Sequence, residues 1–221
     1  MIDKSKGWTS FDVVAKVRGM VKQSTGQKRP KVGHAGTLDP LATGLLIILV
    51  GDYCKKAQEY SKLDKTYEVQ LKLGETSTTD DAEGKITKTS DKIPSKDEVL
   101  EVINSFVGEI QQTPPIFSAI KIDGKRAYKL AREGEQPEMK PRPVTIHSIS
   151  HFEYNYPLVE FTTEVSSGTY IRSLARDIGE KLNTGAYMTR LKRTTIGAFD
   201  LKQATQVENI LLDKNIKTDT I

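Results

Sequence analysis

Apolar residues recur with a helical period near the start of the chain. Val13, Val14, Val17 and Val21 share one face of a predicted helix, with Ser10 as its N-cap and Gly26 and Pro30 beyond its end. The period then changes. Leu45-Leu-Ile-Ile-Leu-Val50 is a short unbroken aliphatic run, the pattern of a buried strand. Residues 53–63 read as a short helix. Between residues 66 and 73 the pattern alternates, with Tyr67, Val69, Leu71 and Leu73 on one face and Glu68, Gln70 and Lys72 on the other, which predicts a half-buried strand.

Ser95-Lys-Asp-Glu98 is a capping box and predicts a helix to about Val107. Gln112-Thr-Pro-Pro115 interrupts regular structure. Residues 117–122 predict a strand turning at Asp123-Gly124, followed by a basic helix over 125–133 and an extended stretch over 137–143. Residues 144–152 and 158–165 read as paired strands around Asn155-Tyr-Pro157. Ser167 or Thr169 is positioned to cap a helix over 170–182 that stops near Gly185, and residues 187–196 form a last strand. Beyond Ala204 little remains to bury. This order is neither a regular strand–helix alternation nor all-strand. It predicts an α+β fold, with a mixed, mainly antiparallel sheet and flanking helices.

Composition narrows the class. Of 221 residues, 37% are hydrophobic and 28% charged, and no run is long enough to span a bilayer. The opening Met1-Ile-Asp-Lys-Ser-Lys-Gly7 has no apolar signal core, and the single cysteine, Cys54, fits a reducing compartment, so a cytoplasmic location is expected. The net charge is only +4, but the cations are grouped. Lys28, Arg29 and Lys31 form one group; Lys121, Lys125, Arg126, Lys129 and Arg132 a second; Arg190, Lys192 and Arg193 a third. Three basic patches favour a phosphate-bearing ligand.

One segment concentrates candidate chemistry. Gly33-His34-Ala-Gly36-Thr-Leu38-Asp39-Pro40-Leu-Ala-Thr-Gly44 sets a carboxylate in a glycine- and proline-bounded loop ending on the aliphatic strand. A carboxylate serves as nucleophile or base when it is held ionised at low exposure, which calls for a cationic partner. Arg172 lies just inside a predicted helix, where the helix dipole disfavours a cation, so its place needs another reason. Tyr67 opens the alternating strand. His147 and His151 lack a zinc pattern, and the acidic stretch 78–84 lacks alternate-position calcium ligands, so no metal is expected. Neither a phosphate-binding glycine–lysine loop nor a dinucleotide fingerprint is present, and no cofactor is expected.

The Gly33–Gly44 segment resembles the signature of the TruB family of tRNA pseudouridine synthases. The resemblance continues through Asp64-Lys-Thr-Tyr67, Leu73-Gly-x-x-Ser77-x-Thr79-x-Asp81-x-x-Gly84, Gln112–Lys121, Gly168-Thr-Tyr-Ile-Arg172 and Arg190-Leu191-x-x-Arg193-x-x-x-Gly197-x-Phe199. It implies that Asp39 is the reacting carboxylate, Arg172 its partner and Tyr67 the side chain stacked on the target base. His34 then fills the space of an extruded nucleotide. Lys6 and Gly7 match an opening motif that borders the active site, and Asp81 is an RNA or loop contact. Gly33, Gly36, Leu38, Pro40, Gly44 and Leu191 shape the active-site loop. The family's fold implies a catalytic domain over 1–204, with a thumb-like insertion at about 112–140 whose Lys121, Lys125, Arg126, Lys129 and Arg132 clamp RNA.

The implied activity is isomerisation of the T-loop uridine of tRNA, at the position known as 55, by a monomer that uses the T arm of tRNA as substrate and needs no membrane or obligate protein partner. Ser5 and Ala35 depart from a proline and a threonine common in the family. Residues 205–221 are expected to be a short tail without the PUA domain many relatives carry. Two other readings stay open: a non-catalytic RNA-binding or RNA-folding module, and the same chemistry on another RNA.

Overall fold

The computed structural model describes residues 1–118, 120–122, 124–135 and 137–210. In chain order its elements are β1 (Ile2–Lys4), α1 (Ser10–Thr25), β2 (Val32–Ala35), β3 (Thr43–Val50), α2 (Ala57–Ser61), β4 (Lys65–Leu73), β5 (Glu75–Ser77) and β6 (Ile86–Lys88). They continue with α3 (Lys96–Asn104), β7 (Gly108–Gln112), β8 (Lys121–Ile122), β9 (Lys125–Arg126), α4 (Ala127–Arg132), β10 (Arg142–Asn155) and β11 (Leu158–Val165). The last are α5 (Ile171–Lys181), β12 (Ala186–Ile196), β13 (Phe199–Asp200) and β14 (Thr205–Gln206). Among the described residues no helix is long and apolar enough to cross a membrane.

The chain forms two compact units. The first combines Met1–Tyr67 with the described residues from Leu191 onward, and the second is Glu68–Arg190. In the first unit the strand order is β14-β1-β3-β12, with β2 added to β3 and β13 to β12. The first part of β3 pairs antiparallel with β1 (Leu46 opposite Ile2), and the second with β2 (Ile47 opposite Ala35). The aliphatic run is covered on both faces. Leu45, Ile47 and Leu49 join a cluster with Ala35 and Ile196, while Leu46 packs with Ile2, Val13 and Val207. Val14, Val17 and Val21 of α1 close over Val32, as their helical spacing predicts.

In the second unit the strand order is β4-β11-β10-β7, and β10 pairs antiparallel with both β11 and β7. Val69, Leu71 and Leu73 of β4 are buried on one face, as the alternation predicts. Val99 and Ile103 are the buried positions of α3. The mainly antiparallel α+β architecture agrees with the sequence reading.

Several local expectations are corrected. The N-cap of α1 is Thr9, whose side chain accepts from the Asp12 amide while the Asp12 carboxylate takes the Thr9 amide. Ser10 is instead the first helical residue and is buried. Helix α3 stops at Asn104, and the Glu98 carboxylate meets Lys92 Nζ at 2.6 Å. The strand expected over 117–122 shrinks to β8. Lys125 and Arg126 belong to its hairpin partner β9, so the basic helix starts only at Ala127. Asp123 lies outside the described residues. Neither Ser167 nor Thr169 caps α5: the N-cap position is Tyr170. The tail is not idle either. Thr205 and Gln206 pair in parallel with β1, and Val207 is fully buried. Residues 211–221 of the expected tail lie outside the described residues.

Candidate functional site

Asp39 sits at the crest of the loop between β2 and β3, half-buried between two buried leucines, Leu38 and Leu41. The loop is fixed from three directions. Ser10 Oγ accepts the Leu38 amide at 2.8 Å and donates to the Leu38 carbonyl at 3.0 Å. The Gly7 amide donates to the Pro40 carbonyl at 2.8 Å, so the opening motif does border the loop. The Ala42 amide closes a turn on the Asp39 carbonyl at 3.1 Å. Pinning backbone on both sides of Asp39 is what gives its side chain a direction.

The third support comes from Arg193, which the sequence places in a surface basic patch. That reading is corrected: Arg193 is 1% exposed. Its guanidinium donates to the carbonyls of Leu45 (2.8 Å), Gly36 (3.1 Å) and Thr37 (3.5 Å). A planar fork of donors can hold several diverging carbonyls at once, where an ammonium group cannot match the geometry. Gly36, at φ +94°, passes close to this cation and to Lys65, and a Cβ there would lie 3.5 Å from Arg193 Nη1.

Lys65 is buried as well, donating to the carbonyls of Ser61 (2.6 Å) and Leu63. Burial, and then the charge of Arg193, pull its ammonium down to about 8. Burial followed by Arg193 also lowers the pKa of His34. His34 lies on β2 opposite Ile48, and its Nδ1 is buried with no hydrogen-bond partner among the described residues. Two buried cations thus underlie the start of the Asp39 loop. Tyr67, on β4, is 7% exposed. Leu191 is buried on β12, Gly33 lies in β2, and Lys6 is exposed. Within the opening motif it is Lys4 that is buried, with Nζ donating to the Trp8 carbonyl at 2.6 Å.

In the second unit Arg172 opens α5 and is 6% exposed. Its donors reach the carbonyls of Phe117 (2.9 Å) and Thr79 (3.2 Å), and Nε lies 3.7 Å from Asp81 Oδ2. This array explains a cation at the unfavourable end of a helix. Asp81 is 3% exposed and accepts from Thr79 Oγ1 at 2.5 Å and the Glu83 amide at 3.0 Å. Asp81 thus contacts its own loop and Arg172.

The start of α5 is capped from a distant strand. The buried Gln112 side chain accepts the Tyr170 amide at 2.8 Å and donates to the Tyr170 carbonyl at 3.1 Å. Ser173 Oγ donates to the Thr113 carbonyl at 2.8 Å. The site reading from sequence missed Gln112, Lys65, Arg193 and Ser10. Gln112, Arg193 and Ser10 act on backbone groups far along the chain, and Lys65 donates to carbonyls two and four residues back; a backbone partner leaves no signal in residue type.

Lys121, Lys125, Arg126 and Lys129 are all exposed on the β8–β9 hairpin and α4. Lys121 and Lys125 line a groove of about 790 Å³ together with Ile120, Ile122, Leu130 and Arg142 among others. The side chain of Arg132 lies outside the description. Asp39 and Tyr67 belong to the first unit, and Arg172, Asp81 and the basic hairpin to the second. Among the described residues no three His, Cys, Asp or Glu side chains group as metal ligands.

The chain is similar to known proteins. Residues 22–171 match the family model for TruB family pseudouridylate synthase (N terminal domain). Residues 172–219 match that for the tRNA pseudouridylate synthase B C-terminal domain. A tRNA pseudouridine synthase B of Phocaeicola vulgatus is 46% identical over 209 residues, covering 94% of this chain and 88% of that relative. One from Aquifex aeolicus is 44% identical, covering 97% and 74%. Among solved structures, a chain of a Cbf5-Nop10-Gar1 complex superposes with a TM-score of 0.70 at 29% identity. The match covers 94% of this chain, which spans about half of that longer one (51%).

Proposed function

Because the chain belongs to the TruB family of pseudouridylate synthases, we propose that it isomerises uridine to pseudouridine in the T loop of tRNA, at position 55. The supporting observation is the loop itself: one carboxylate, Asp39, between buried leucines, on backbone tied to Ser10, Gly7 and Arg193. The reaction breaks the N1–C1′ bond, turns the base and rejoins it through C5. Atoms and electrons balance within the nucleotide, so the chemistry asks only for a positioned acid–base or nucleophilic group and a held base.

In this reading the target nucleotide leaves its stack at a cost of a few kcal/mol. Exposed cations of the segment 112–140 offset that cost by gripping phosphates. His34 takes the place of the extruded base, and Tyr67 holds the uracil by its face. Asp39 acts on the ribose, as nucleophile at C1′ or base at C2′. Arg172 is the cation that keeps Asp39 ionised. The enzyme works on tRNA in the cytoplasm as a monomer without an obligate protein partner.

The test is direct. Asp39→Asn should lower pseudouridine formation in a tRNA transcript, followed by tritium release and mass mapping, by more than about 10³-fold. Binding of the same transcript should stay within a few-fold. Turnover near the wild-type rate in the variant removes the assignment. A wild-type protein that binds the transcript but leaves every uridine unchanged supports a non-catalytic RNA-binding module instead.

A further inference from the structure

From Val13 to Leu38 the chain carries six cations (Lys16, Arg18, Lys22, Lys28, Arg29 and Lys31) and no acid, more positive charge than the net +4 of the whole protein. The fold gathers five of them. Arg18, Lys22, Lys28, Arg29 and Lys31 line one groove of about 730 Å³, between α1 and the segment that leads into β2. Ala15 and Gly19 form its helical wall and Cys54 part of its floor, and no carboxylate lines it. Nothing in the proposed chemistry uses this groove.

Its cations are available. Lys22, Lys28, Arg29 and Lys31 are exposed, and none has an ion-pair partner among the described residues. Asp52, whose carboxylate also feels the charge of Lys31, is held by Lys55 at 2.8 Å. The walls are fixed before any ligand arrives. Arg18 Nη2 donates to the Val32 carbonyl at 3.0 Å, Pro30 is buried, and the Gly51 amide holds the Lys31 carbonyl at 2.9 Å. Five like charges converging on a shaped groove repel one another in the absence of an anion, and that cost is recovered only when a polyanion neutralises them.

We propose that this groove is a second RNA-binding site, which takes the phosphodiester backbone flanking the target nucleotide. The proposal rests on the reading of the chain as an RNA-modifying enzyme. The connection to the Asp39 loop is covalent and short. Val32 and Gly33 line the groove and β2 runs from them into the loop, so Gly33 and Asp39 are at most ~20 Å apart even for an extended chain. An RNA with its ribose at Asp39 has its neighbouring phosphates within reach of the groove. Because the groove lies in the first unit and the basic hairpin in the second, their contributions can be removed separately.

The experiment uses the full-length protein and an unmodified T-arm stem-loop transcript, with Kd measured by anisotropy from about 50 to 200 mM salt. The triple variant Lys28→Gln/Arg29→Gln/Lys31→Gln is compared with the charge-preserving Lys28→Arg/Arg29→Lys/Lys31→Arg. Neutralisation should raise Kd by roughly tenfold or more and lower the slope of log K against log salt by about one per phosphate contact, up to three. The charge-preserving variant should keep the wild-type slope. A neutral variant that folds normally and retains wild-type Kd and slope overturns the groove proposal alone. A wild-type protein that binds with a steep, variant-sensitive slope but never isomerises uridine overturns the enzymatic reading and leaves the groove standing.

Discussion

A Cβ on Gly44 would lie 2.3 Å from the carbonyl oxygen of Arg193, and these two residues are also opposite one another in the parallel β3–β12 ladder. The glycine that ends the Asp39 loop therefore sits against the backbone of the residue whose side chain supports the loop's start. Gly44 also has φ +98°, which side-chain-bearing residues resist. Gly44→Ala should cost about 3 kcal/mol or more, from backbone strain and a clash that rigid backbone cannot relieve. Urea unfolding measures it; a loss below about 1 kcal/mol would show that the ladder yields.

Arg193 supplies donors to three carbonyls in a buried place. Arg193→Met should destabilise the protein by roughly 1–3 kcal/mol for each carbonyl left dry and should lower kcat through the loop. Arg193→Lys keeps the charge but loses the fork, so it should recover little of either loss. If lysine restores full activity, charge alone is what the loop needs.

Lys65 offers a pH signature. Its folded pKa is about 8 against 10.5 for a free lysine. Between those values the unfolded chain binds a proton that the folded protein does not, so stability rises with pH across that window. Below about 8 the penalty of the buried ammonium is fully present. Relative to Lys65→Met, the wild-type protein should gain stability from pH 8 to pH 10.5, as followed by denaturant midpoints. A constant difference between the two proteins would mean that Lys65 titrates normally.

Gln112 caps α5 from β7, with both atoms of its amide engaged by Tyr170. Gln112→Leu should cost about 1–3 kcal/mol by leaving the Tyr170 amide without its acceptor, while the Tyr170 carbonyl keeps the Leu174 amide at 3.1 Å. It should also lower kcat more than it raises KM, because the first turn of α5 carries Arg172. Gln112→Glu keeps the acceptor for the Tyr170 amide and should restore part of the loss; equal defects in both variants would exclude the cap as the cause.

Lys125, Arg126 and Lys129 project from the β9–α4 segment into solvent. Replacing all three with glutamine should weaken tRNA binding and reduce its salt slope by up to about three. An unchanged slope would take this segment out of the RNA contact.

The sequence was most legible where one residue's neighbours determine its environment. The valines of α1 and the alternation of β4 bury the predicted positions, because period alone selects the buried face, and the aliphatic run of β3 buries Leu45, Leu46, Ile47 and Leu49. It was least legible where a polar side chain serves backbone far away. Arg193 and its acceptor Leu45 are 148 residues apart, and Gln112 and Tyr170 are 58 apart. A carbonyl acceptor belongs to every residue type, so neither pair leaves a trace in composition or spacing. Ser10 was noticed but given the wrong task, since Thr9 and Ser10 are both competent caps and only the packing of Leu38 decides between them. Val207 looked like tail because its partners, Ile2, Val13 and Leu46, all lie in the opening third of the chain.

The first unit is built from both ends of the polypeptide, whereas the second is continuous. A ribosome making this protein synthesises the residues of the second unit before it makes Arg193 or Val207. The nascent Asp39 loop then lacks the guanidinium that holds it, and Ile2 and Leu46 lack the valine that covers them. Domains usually mature from the amino terminus as they are synthesised. Here the order is inverted: the Asp39 loop, translated early, acquires its support only once Arg193 has been made.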